Sequence, residues 1–400
     1  MGERSIGGGR RRHGDLLFGS PVRGIPYRSL LVLLLLACLS GCGNGEQEAP
    51  RFSDDVVERL DEAVADQMEY NDLPGVVVGV WVPGEGEYVV ARGKANLETG
   101  EKREVGDPFR TGSITKTFVA TAVLQLVEEG ELSKSDKLAE WYPDFPNAEK
   151  ITVDDLLRMR SGIVEGSDMD AFWEAYEKDR LAGVSADDVI ERAAKSSARL
   201  GYYPPDQRTE YTNVNYVLLG EIVEKVSGED LGAHLSRTIL EPLGLEDTTY
   251  PKTSDLPGDL HGYHRDIARV EPVDTTVVNP DPIAGAGAMV SDVPDLRIWA
   301  KAVCTGRLLE PETHEARLRT QPPSGWSDQV GYGEGIIKAG SYCGHGGGLL
   351  GFDSAMWYLP QRDATIVISV NKTDPYAEPP AEALAGDIVA ILFPKHVLGG

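Results

Sequence analysis

The sequence predicts an α+β fold, in which an antiparallel sheet is flanked by terminal helices and carries an inserted, mostly helical subdomain. Three observations support this prediction. Segments of β-sheet composition lie near both ends of the chain, at residues 75–93 and after about residue 330. Helical patterns fill most of the sequence between about residues 110 and 290, and a helix stands outside each group of strands. Strands from the two ends then pair most simply in one sheet, with helices packed beside it.

The first 41 residues have the composition of a bacterial export signal. Several arginines precede the apolar run LLVLLLLACL, which is too short to span a bilayer but suits the core of a signal peptide. The run leads into LSGC at residues 39–42, which resembles a lipobox, so we expect cleavage before Cys42 and lipidation of its thiol. An ordinary secretory signal with an incidental cysteine is the alternative. Because residues 22–42 already form a complete signal, we expect translation to start at Val22.

The rest of the chain is expected to form a tether and one domain. Residues 42–52 are the lipidated tether, and residues 53–400 are the domain, whose α/β part comprises residues 53–109 plus about 295–400 and whose helical part comprises about 110–294. Without residues 1–41 the chain has 33 basic and 62 acidic residues, a net charge of −29. This acidity argues against nucleic acid or anionic lipid as a partner. We therefore expect an extracytoplasmic protein held at the membrane by its lipid alone.

Each predicted element has a local signal. Ser53 can cap an amphipathic helix, and GVVVGVWVPGEGEYVVARG predicts two strands around a Pro-Gly-Glu-Gly turn. The helices KTFVATAVLQLVEEG and NYVLLGEIVEKVSG are expected to end at Gly130 and Gly228, and TVDDLLRMRSG at Gly162. DMDAFWEAYEKDRLAG and SADDVIERAAKSSARL are further amphipathic helices. EGIIKAG, DSAMWYLP and ATIVISV predict strands before a last helix, AEALAGDIVAILF.

Four cysteines occur in the sequence, and two of them belong to the N-terminal segment. Cys304 and Cys343 remain, and outside the cytoplasm such a pair can form a disulfide. Two buried free thiols are the alternative, and both possibilities stay open at the level of sequence. His261 and His264 lack further ligands at a suitable spacing, so they do not predict a zinc site.

Two S-x-x-K segments occur, at residues 113–116 and 369–372. The second ends a predicted strand, where positions three apart point to opposite faces. The first opens a predicted helix, where positions i and i+3 are neighbours, so Lys116 can reach the hydroxyl of Ser113. The N-terminus of that helix also offers N–H groups to an oxyanion. Ser113 and Lys116 are therefore a candidate nucleophile and base, with a solvated helix start as the alternative.

Two further segments could surround such a lysine, which acts as a base only when it loses its proton. Tyr211 and Asn213 lie just before a predicted helix, and they offer a phenol for proton transfer and an amide for a substrate amide. His345 precedes a run of glycines in CGHGGGLLGFDS, where Gly347 would let a substrate lie along a strand edge. The alternatives are a buried Tyr with a helix-capping Asn, and a glycine-rich turn beside a surface His.

The three motifs S-x-x-K, Y-x-N and [KH]-x-G, in this order, resemble the serine β-lactamase and penicillin-binding protein family. The similarity is to the branch shared by class C β-lactamases, DD-peptidases and related esterases, and it covers nearly all of residues 53–393. PFRTGSITKTF, ITVDDLLRMRSGI and YTNVNYVLLGEIVEKVSGEDL also resemble family segments. The resemblance implies a β-lactamase/transpeptidase-like fold and a D-alanyl-D-alanine carboxypeptidase-like hydrolase of cell-wall peptides. An esterase, a β-lactamase and a non-catalytic penicillin-binding-like sensor are the alternatives.

The resemblance also implies a role for each motif residue. Ser113 would attack the substrate carbonyl and become acylated, Lys116 and Tyr211 would share the acid–base work, and Asn213 would orient the substrate amide.

The third motif would border the site on the sheet side. His345 and Gly347 would belong to this border, and the backbone N–H groups of Ser113 and Gly348 would form the oxyanion hole. No metal or organic cofactor is implied, the expected partner is a small-molecule or peptide substrate, and the oligomeric state is left open.

Several positions depart from the family pattern. His345 stands where class C β-lactamases usually have Lys, and its charge is expected to vary near neutral pH. Gly346 replaces a Thr or Ser whose hydroxyl commonly meets a substrate carboxylate, which predicts less strict recognition of a C-terminal D-alanine. Lys338 also begins a K-x-G, but the glycine run follows His345. Asp206 replaces a Gly before Y-x-N, so that loop is expected to differ in shape.

Overall fold

The computed structural model describes residues 51–164, 166–200, 204, 207–265 and 271–399, within the compact unit Ala49–Gly400. The predicted signal segment, Cys42, most of the predicted tether and Asp206 lie outside the described residues. What was predicted for lipidation and for the shape of the loop at Asp206 therefore stays a prediction.

The described chain alternates between strands at its two ends and helices between them. The helices are α1 (Asp54–Tyr70), α2 (Thr115–Glu129), α3 (Val153–Leu157), α4 (Gly166–Lys178), α5 (Ala186–Leu200), α6 (Val214–Ser227), α7 (Leu231–Leu235), α8 (Glu241–Leu243), α9 (Ala284–Gly287), α10 (Val293–Thr305), α11 (Pro311–Arg317) and α12 (Pro380–Leu392). The strands are β1 (Gly75–Val82), β2 (Gly86–Gly93), β3 (Phe109–Arg110), β4 (Tyr263–His264), β5 (Val273–Asp274), β6 (Val290–Ser291), β7 (Val330–Tyr332), β8 (Ile337–Ala339), β9 (Tyr342–Leu349), β10 (Phe352–Leu359), β11 (Ala364–Val370) and β12 (Lys372–Thr373).

A seven-stranded sheet in the order β2-β1-β11-β10-β9-β8-β7 joins the two ends of the domain. Its neighbours are antiparallel, and β1 bonds to β2 on one side and to β11 on the other. Strands β1, β10 and β11 are buried along their whole length, because α10 and α12 pack against the sheet and α1 packs on α12. The predicted antiparallel sheet with flanking terminal helices is therefore confirmed.

The turn and cap signals of the sequence are found where they were expected. Strands β1 and β2 form the predicted hairpin, with Gly84 of the turn at φ +81°, a conformation that favours glycine. The side chain of Ser53 accepts a hydrogen bond from the backbone of α1. Gly130 and Gly228 end α2 and α6 in the left-handed conformation, at φ +78° and +70°.

Two helical predictions are wrong in extent. Thr152 caps α3, but this helix ends at Leu157 and does not reach Gly162, because Met159 adopts φ +58° and interrupts the helix. The described residues between 246 and 283 form turns and the strands β4 and β5, although this stretch lies in the predicted helical part. Strand β4 pairs with β12, which lies more than 100 residues further along the chain, so no local pattern predicts it.

The helical part meets the sheet beside β9. Helix α6 packs on α2 and α9, and the 3₁₀ turn Gly112–Ile114 that precedes α2 packs on β9. Strand β9 pairs with β8 only over its first three residues, and from His345 onward it pairs with β10 alone among the described strands. This leaves one edge of β9 facing the turn that holds Ser113.

The two cysteines of the domain form a disulfide. Cys304 at the end of α10 bonds to Cys343 in β9, with 5.8 Å between the two Cα atoms. The alternative of two free thiols is therefore wrong. The bond ties α10 to the strand that also carries His345.

Candidate active site

Ser113 and Lys116 are in contact at the start of α2. Ser113 lies in the 3₁₀ turn and is partly exposed, whereas Lys116 is completely buried. Lys116 Nζ lies 2.9 Å from Ser113 Oγ, and it also contacts Asn213 Oδ1 at 2.8 Å and the carbonyl oxygen of Ala286 at 2.7 Å. The spacing of three residues thus places both side chains on one face, although a 3₁₀ turn rather than the α-helix itself holds the serine.

The second S-x-x-K has a different arrangement. Ser369 Oγ accepts a hydrogen bond from Arg103 at 3.0 Å. Lys372 Nζ donates to the backbone carbonyls of Asn71 and Asp72, at 2.8 and 2.9 Å. The predicted divergence of these two side chains is confirmed, and it separates this segment from Ser113.

The Y-x-N segment lies directly before α6 and faces the lysine. Asn213 begins α6 without a side-chain capping bond, so its amide is not a helix cap but a partner of Lys116. The ring of Tyr211 has its centroid 5.0 Å from Lys116 Nζ. The same ring packs on Trp326, Tyr332 and His345, with centroid distances of 5.8, 5.7 and 6.2 Å. Tyr211 therefore lies between the lysine and the third motif.

His345 is a buried, neutral group of β9. Its side chain is 2% exposed, and its Nδ1 donates to the carbonyl oxygen of Gly346 at 2.6 Å. Burial, together with the nearby charge of Lys116, lowers the pKa of His345 to about 3. The expectation that its charge varies near neutral pH is therefore wrong. Lys338 lies in β8 opposite Cys343 and does not line the cavities described below.

Two glycines allow β9 to approach the turn that holds Ser113. A methyl group on Gly347 would collide with the backbone carbonyl oxygen of Thr111. A methyl group on Gly112, which has φ +51°, would lie 2.7 Å from the backbone nitrogen of Gly348. The backbone of Gly348 therefore lies beside the backbone of the nucleophile turn, as an oxyanion hole requires.

Two cavities open on either side of Ser113, and both include Gly348 and Asp353 in their walls. We call the first the Asn213-side cavity, with a volume of about 450 Å³, and the second the His345-side cavity, with a volume of about 530 Å³. The walls of the Asn213-side cavity include the apolar side chains of Trp173, Ile283, Leu349 and Leu350, together with polar residues such as Glu177, His264 and Asp374. The His345-side cavity is lined by Tyr211, Trp326, His345, Gly346, Trp357 and Glu382, among others.

Asp353 and Glu382 are site residues that the sequence analysis missed. Asp353 lies in β10 opposite Gly348 and accepts a hydrogen bond from the backbone N–H of Ala381 at 2.9 Å. Glu382 lies in the first turn of α12, and its Oε2 accepts from Trp357 Nε1 at 2.9 Å. Burial raises the pKa of Asp353 to about 7 and that of Glu382 to about 8. The only sequence signal was for Glu382, an acid in the first turn of a mostly apolar helix.

The two histidines of the segment 261–264 bond to other side chains of the protein. His261 contacts Asp274, and His264 contacts Thr373. Among the described residues no three His, Cys, Asp or Glu side chains are grouped to hold a metal ion. In the same part of the chain no helix is long and apolar enough to cross a membrane.

The fold and the site together define a class of enzyme, a serine-type hydrolase with the β-lactamase/transpeptidase fold. Residues 60–390 match the family model described as Beta-lactamase, and this match extends over most of the chain. The protein therefore belongs to the Beta-lactamase family, and the resemblance predicted from its motifs is confirmed.

Solved structures of similar proteins share the fold. The chain is 29% identical to a D-stereospecific amidohydrolase from Streptomyces sp., with a TM-score of 0.72, over 85% of this chain and 98% of that one. It is 25% identical to the D-amino acid amidase of Ochrobactrum anthropi SV3, in a structure complexed with L-phenylalanine amide, with a TM-score of 0.72, over 84% and 97% of the two chains.

The chain is also similar to curated penicillin-binding proteins. It is 30% identical over 182 residues to penicillin-binding protein 4 of Amycolatopsis lactamdurans, which is 44% of each chain. The chain spans between 44% and 72% of the length of this and other curated relatives that it matches.

Proposed function

We propose that the protein hydrolyses amide bonds beside D-amino acid residues through an acyl-enzyme on Ser113. The observation that carries this proposal is the contact of Lys116 Nζ with both Ser113 Oγ and Asn213 Oδ1, between two cavities. The similarity to a D-stereospecific amidohydrolase and a D-amino acid amidase supports the choice of a D-amino acid residue in the substrate. The D-alanyl-D-alanine carboxypeptidase-like cleavage expected from the sequence is one form of this reaction.

Acylation would begin at Ser113. Its Oγ attacks the amide carbonyl carbon while its proton passes to Lys116, which in its neutral form can accept that proton across 2.9 Å. Tyr211, close to the same Nζ, would share the proton transfer. The carbon–nitrogen bond then breaks, the amine leaves with a proton, and the acyl group stays as an ester on Ser113. Water hydrolyses this ester and restores the serine.

The backbone would stabilise the charge that develops on the carbonyl oxygen. In the tetrahedral intermediate this oxygen would accept hydrogen bonds from the N–H groups of Ser113 and Gly348, which the close approach at Gly112 brings together. Donors fixed by the backbone need no reorganisation during the reaction, so we expect a large part of the rate enhancement to depend on them.

Asn213 would orient the acyl part of the substrate. Because its Oδ1 accepts from Lys116, the Nδ2 of the same amide points away from the lysine and can donate to a substrate carbonyl. Asn213 lines the Asn213-side cavity, where the apolar residues Trp173 and Ile283 would contact an uncharged side chain of the substrate.

The proposal includes export and a lipid anchor on Cys42, as the sequence predicts. The disulfide between Cys304 and Cys343 supports a location outside the cytoplasm, because such bonds persist in oxidising compartments. Metabolic labelling with a fatty acid tests the anchor: we expect a labelled protein, and no label after Cys42→Ser. Labelling that survives this substitution would contradict the anchor at Cys42.

A substrate panel tests the proposed activity. The full-length protein would be assayed with D- and L-phenylalanine amide, D-alanyl-D-alanine peptides, nitrophenyl esters and a chromogenic β-lactam. We expect turnover of the D-amide at least about tenfold faster than of the L-amide, and none after Ser113→Ala. Ser369→Ala is the matched control and should keep the activity. Turnover of esters alone or of β-lactam alone would favour an esterase or a β-lactamase, and binding without turnover would favour a sensor.

A further inference from the structure

The His345-side cavity places two carboxyl groups beside the nucleophile. Asp353 and Glu382 line it together with Ser113, and its described lining residues include no lysine or arginine. Glu382 Oε1 occupies the space that a side chain at position 346 would need, so that a methyl group on Gly346 would collide with it. The indole N–H of Trp357 holds the other carboxyl oxygen. Gly346 and Glu382 are therefore adjacent in the wall of the cavity, and the absence of a side chain at position 346 leaves room for the carboxyl group of Glu382.

His345 provides independent evidence that this cavity is built for a ligand. Its Nε2 is buried and has no hydrogen-bond partner among the described residues. Because Nδ1 donates to a carbonyl oxygen, Nε2 of the neutral ring is an acceptor. A buried acceptor without a partner destabilises the folded protein. An N–H or O–H group of a ligand in the cavity would satisfy it.

The leaving group of the proposed reaction belongs in this cavity. Tyr211, which would return a proton to the departing amine, lines the His345-side cavity and not the Asn213-side cavity. The departing nitrogen must lie within hydrogen-bond reach of the acid that protonates it. The acyl part of the substrate then extends to the other side of Ser113, beside Asn213.

The polar groups of the cavity suit a hydrogen-bond donor better than an anion. His345 Nε2 accepts, and burial raises the pKa of Asp353 to about 7 and that of Glu382 to about 8, so both acids are partly protonated near neutrality and can accept and donate. A free carboxylate placed beside them would be a third carboxyl group in a partly buried site with no lysine or arginine among its described lining residues, which is unfavourable. A carboxamide would offer both donors and an acceptor without a charge.

We infer that the His345-side cavity selects leaving groups that end in an amide or an amine over those that end in a free carboxylate, with Glu382 as the specificity-determining residue. This inference rests on the proposed function and narrows it. The protein would then act on amides of D-residues and within peptides rather than as a strict carboxypeptidase.

Two peptides that differ only in their end group test the inference. N-acetyl-D-alanyl-D-alanine and its carboxamide would be compared by kcat/KM with the full-length protein, and by calorimetric binding to Ser113→Ala. Glu382→Lys and Glu382→Arg each place a cation in the cavity, on side chains of different shape. If one variant does not fold, the other still tests the inference. Glu378→Lys is the charge-matched control, because Glu378 is exposed and lies outside the cavity.

We expect the wild-type protein to prefer the carboxamide at least about tenfold, and the cation at position 382 to reduce this preference at least about tenfold. The control should leave the preference within about twofold. Equal or better use of the free carboxylate by the wild type, or an unchanged preference in both variants at position 382, would overturn the inference. If neither peptide is hydrolysed but Ser113→Ala binds the carboxamide more tightly, the proposed function fails while the selectivity of the cavity stands.

Discussion

At the scale of single residues, the proposed chemistry depends most on Lys116. The side chain is completely buried, and three oxygen atoms from three different segments surround its Nζ. A buried amine is stable only when such partners compensate for lost hydration. The lysine therefore holds Ser113 and Asn213 relative to each other, in addition to its proposed role as the base.

Lys116→Met keeps the length of the side chain and removes its amine. We expect kcat/KM to fall at least about a hundredfold, because general-base catalysis is typically of this size or larger. Lys372→Met is the matched control from the second S-x-x-K. It removes hydrogen bonds to two backbone carbonyls and should lower stability while activity stays within about threefold. A fall of less than tenfold for Lys116→Met would exclude it as the base.

His345 is expected to make the protein less stable in acid. Its pKa in the folded protein, about 3, lies below its ordinary value of about 6.5. Between these values the unfolded chain binds the additional proton, so stability falls as the pH decreases below about 6.5. At pH 4 this contribution reaches at most about 3 kcal/mol.

His345→Gln should therefore flatten the fall in melting temperature between pH 6.5 and pH 4, measured by calorimetry. His396→Gln is the control, because this histidine is partly exposed near the C-terminus. Equal slopes for the wild type and His345→Gln would show that the imidazole is protonated in the folded protein.

The sequence alone could identify the residues of the three motifs but not the acids beside them. The motifs are short, and their order along the chain carries the resemblance. Asp353 and Glu382 come from a strand and a helix that meet only in the folded protein. Nothing in the local pattern of either segment indicates that Glu382 fills the space beside Gly346.

At the scale of elements, strand β9 and the turn before α2 form the site by approaching each other closely. Gly347 lies where a side chain would strike the backbone carbonyl of Thr111. Neither backbone can move without displacing Ser113 or Gly348, whose N–H groups form the proposed oxyanion hole. Gly346 and Gly347, which lie within β9, are therefore explained by close contacts and not by a turn.

Gly347→Ala should lower kcat/KM at least about a hundredfold, the usual effect of losing an oxyanion donor. The added methyl group should also lower the free energy of unfolding by about 1–3 kcal/mol through overpacking. Steady-state kinetics and urea unfolding check the two effects. Gly183→Ala is the control, because an added methyl group there meets no atom within 4 Å. Full activity of Gly347→Ala would contradict the oxyanion role of this strand.

The sequence predicts elements well where their ends have chemical signals. The glycine caps indicate where α2 and α6 end, and the Pro-Gly-Glu-Gly turn indicates the hairpin of β1 and β2. The end of α3 could not be predicted, because Met159 takes a left-handed conformation that is unusual for a residue with a long side chain. Strands β3 to β6 have two residues each, and pairing with distant segments defines them.

At the scale of the whole molecule, long-range pairing holds the domain together. Strand β1 bonds to β11 almost 300 residues later, and the disulfide joins α10 to β9. The hydrophobic runs and the family resemblance predict that the two ends share one sheet. Only the structure shows the register of that sheet and distinguishes a disulfide from two free thiols.

Removing the disulfide should destabilise the domain. The bond closes a loop with a sequence separation of 39 residues, for which the loss of chain entropy in the unfolded state corresponds to about 4 kcal/mol. We expect the double variant Cys304→Ser/Cys343→Ser to melt about 5–10 °C below the wild type. A reducing agent should lower the melting temperature of the wild type and leave that of the double variant unchanged. Equal melting temperatures would contradict a structural role for the bond.

Locating the covalent intermediate tests the acyl-enzyme mechanism at Ser113. The full-length protein would be incubated with a fluorescent penicillin or a fluorophosphonate, and the adduct would be identified by intact mass and peptide mapping. We predict one adduct on Ser113, which is absent in Ser113→Ala and retained in Ser369→Ala. An adduct on Ser369, an adduct that persists in Ser113→Ala, or no reaction of Ser113 with either reagent would contradict the acyl-enzyme mechanism.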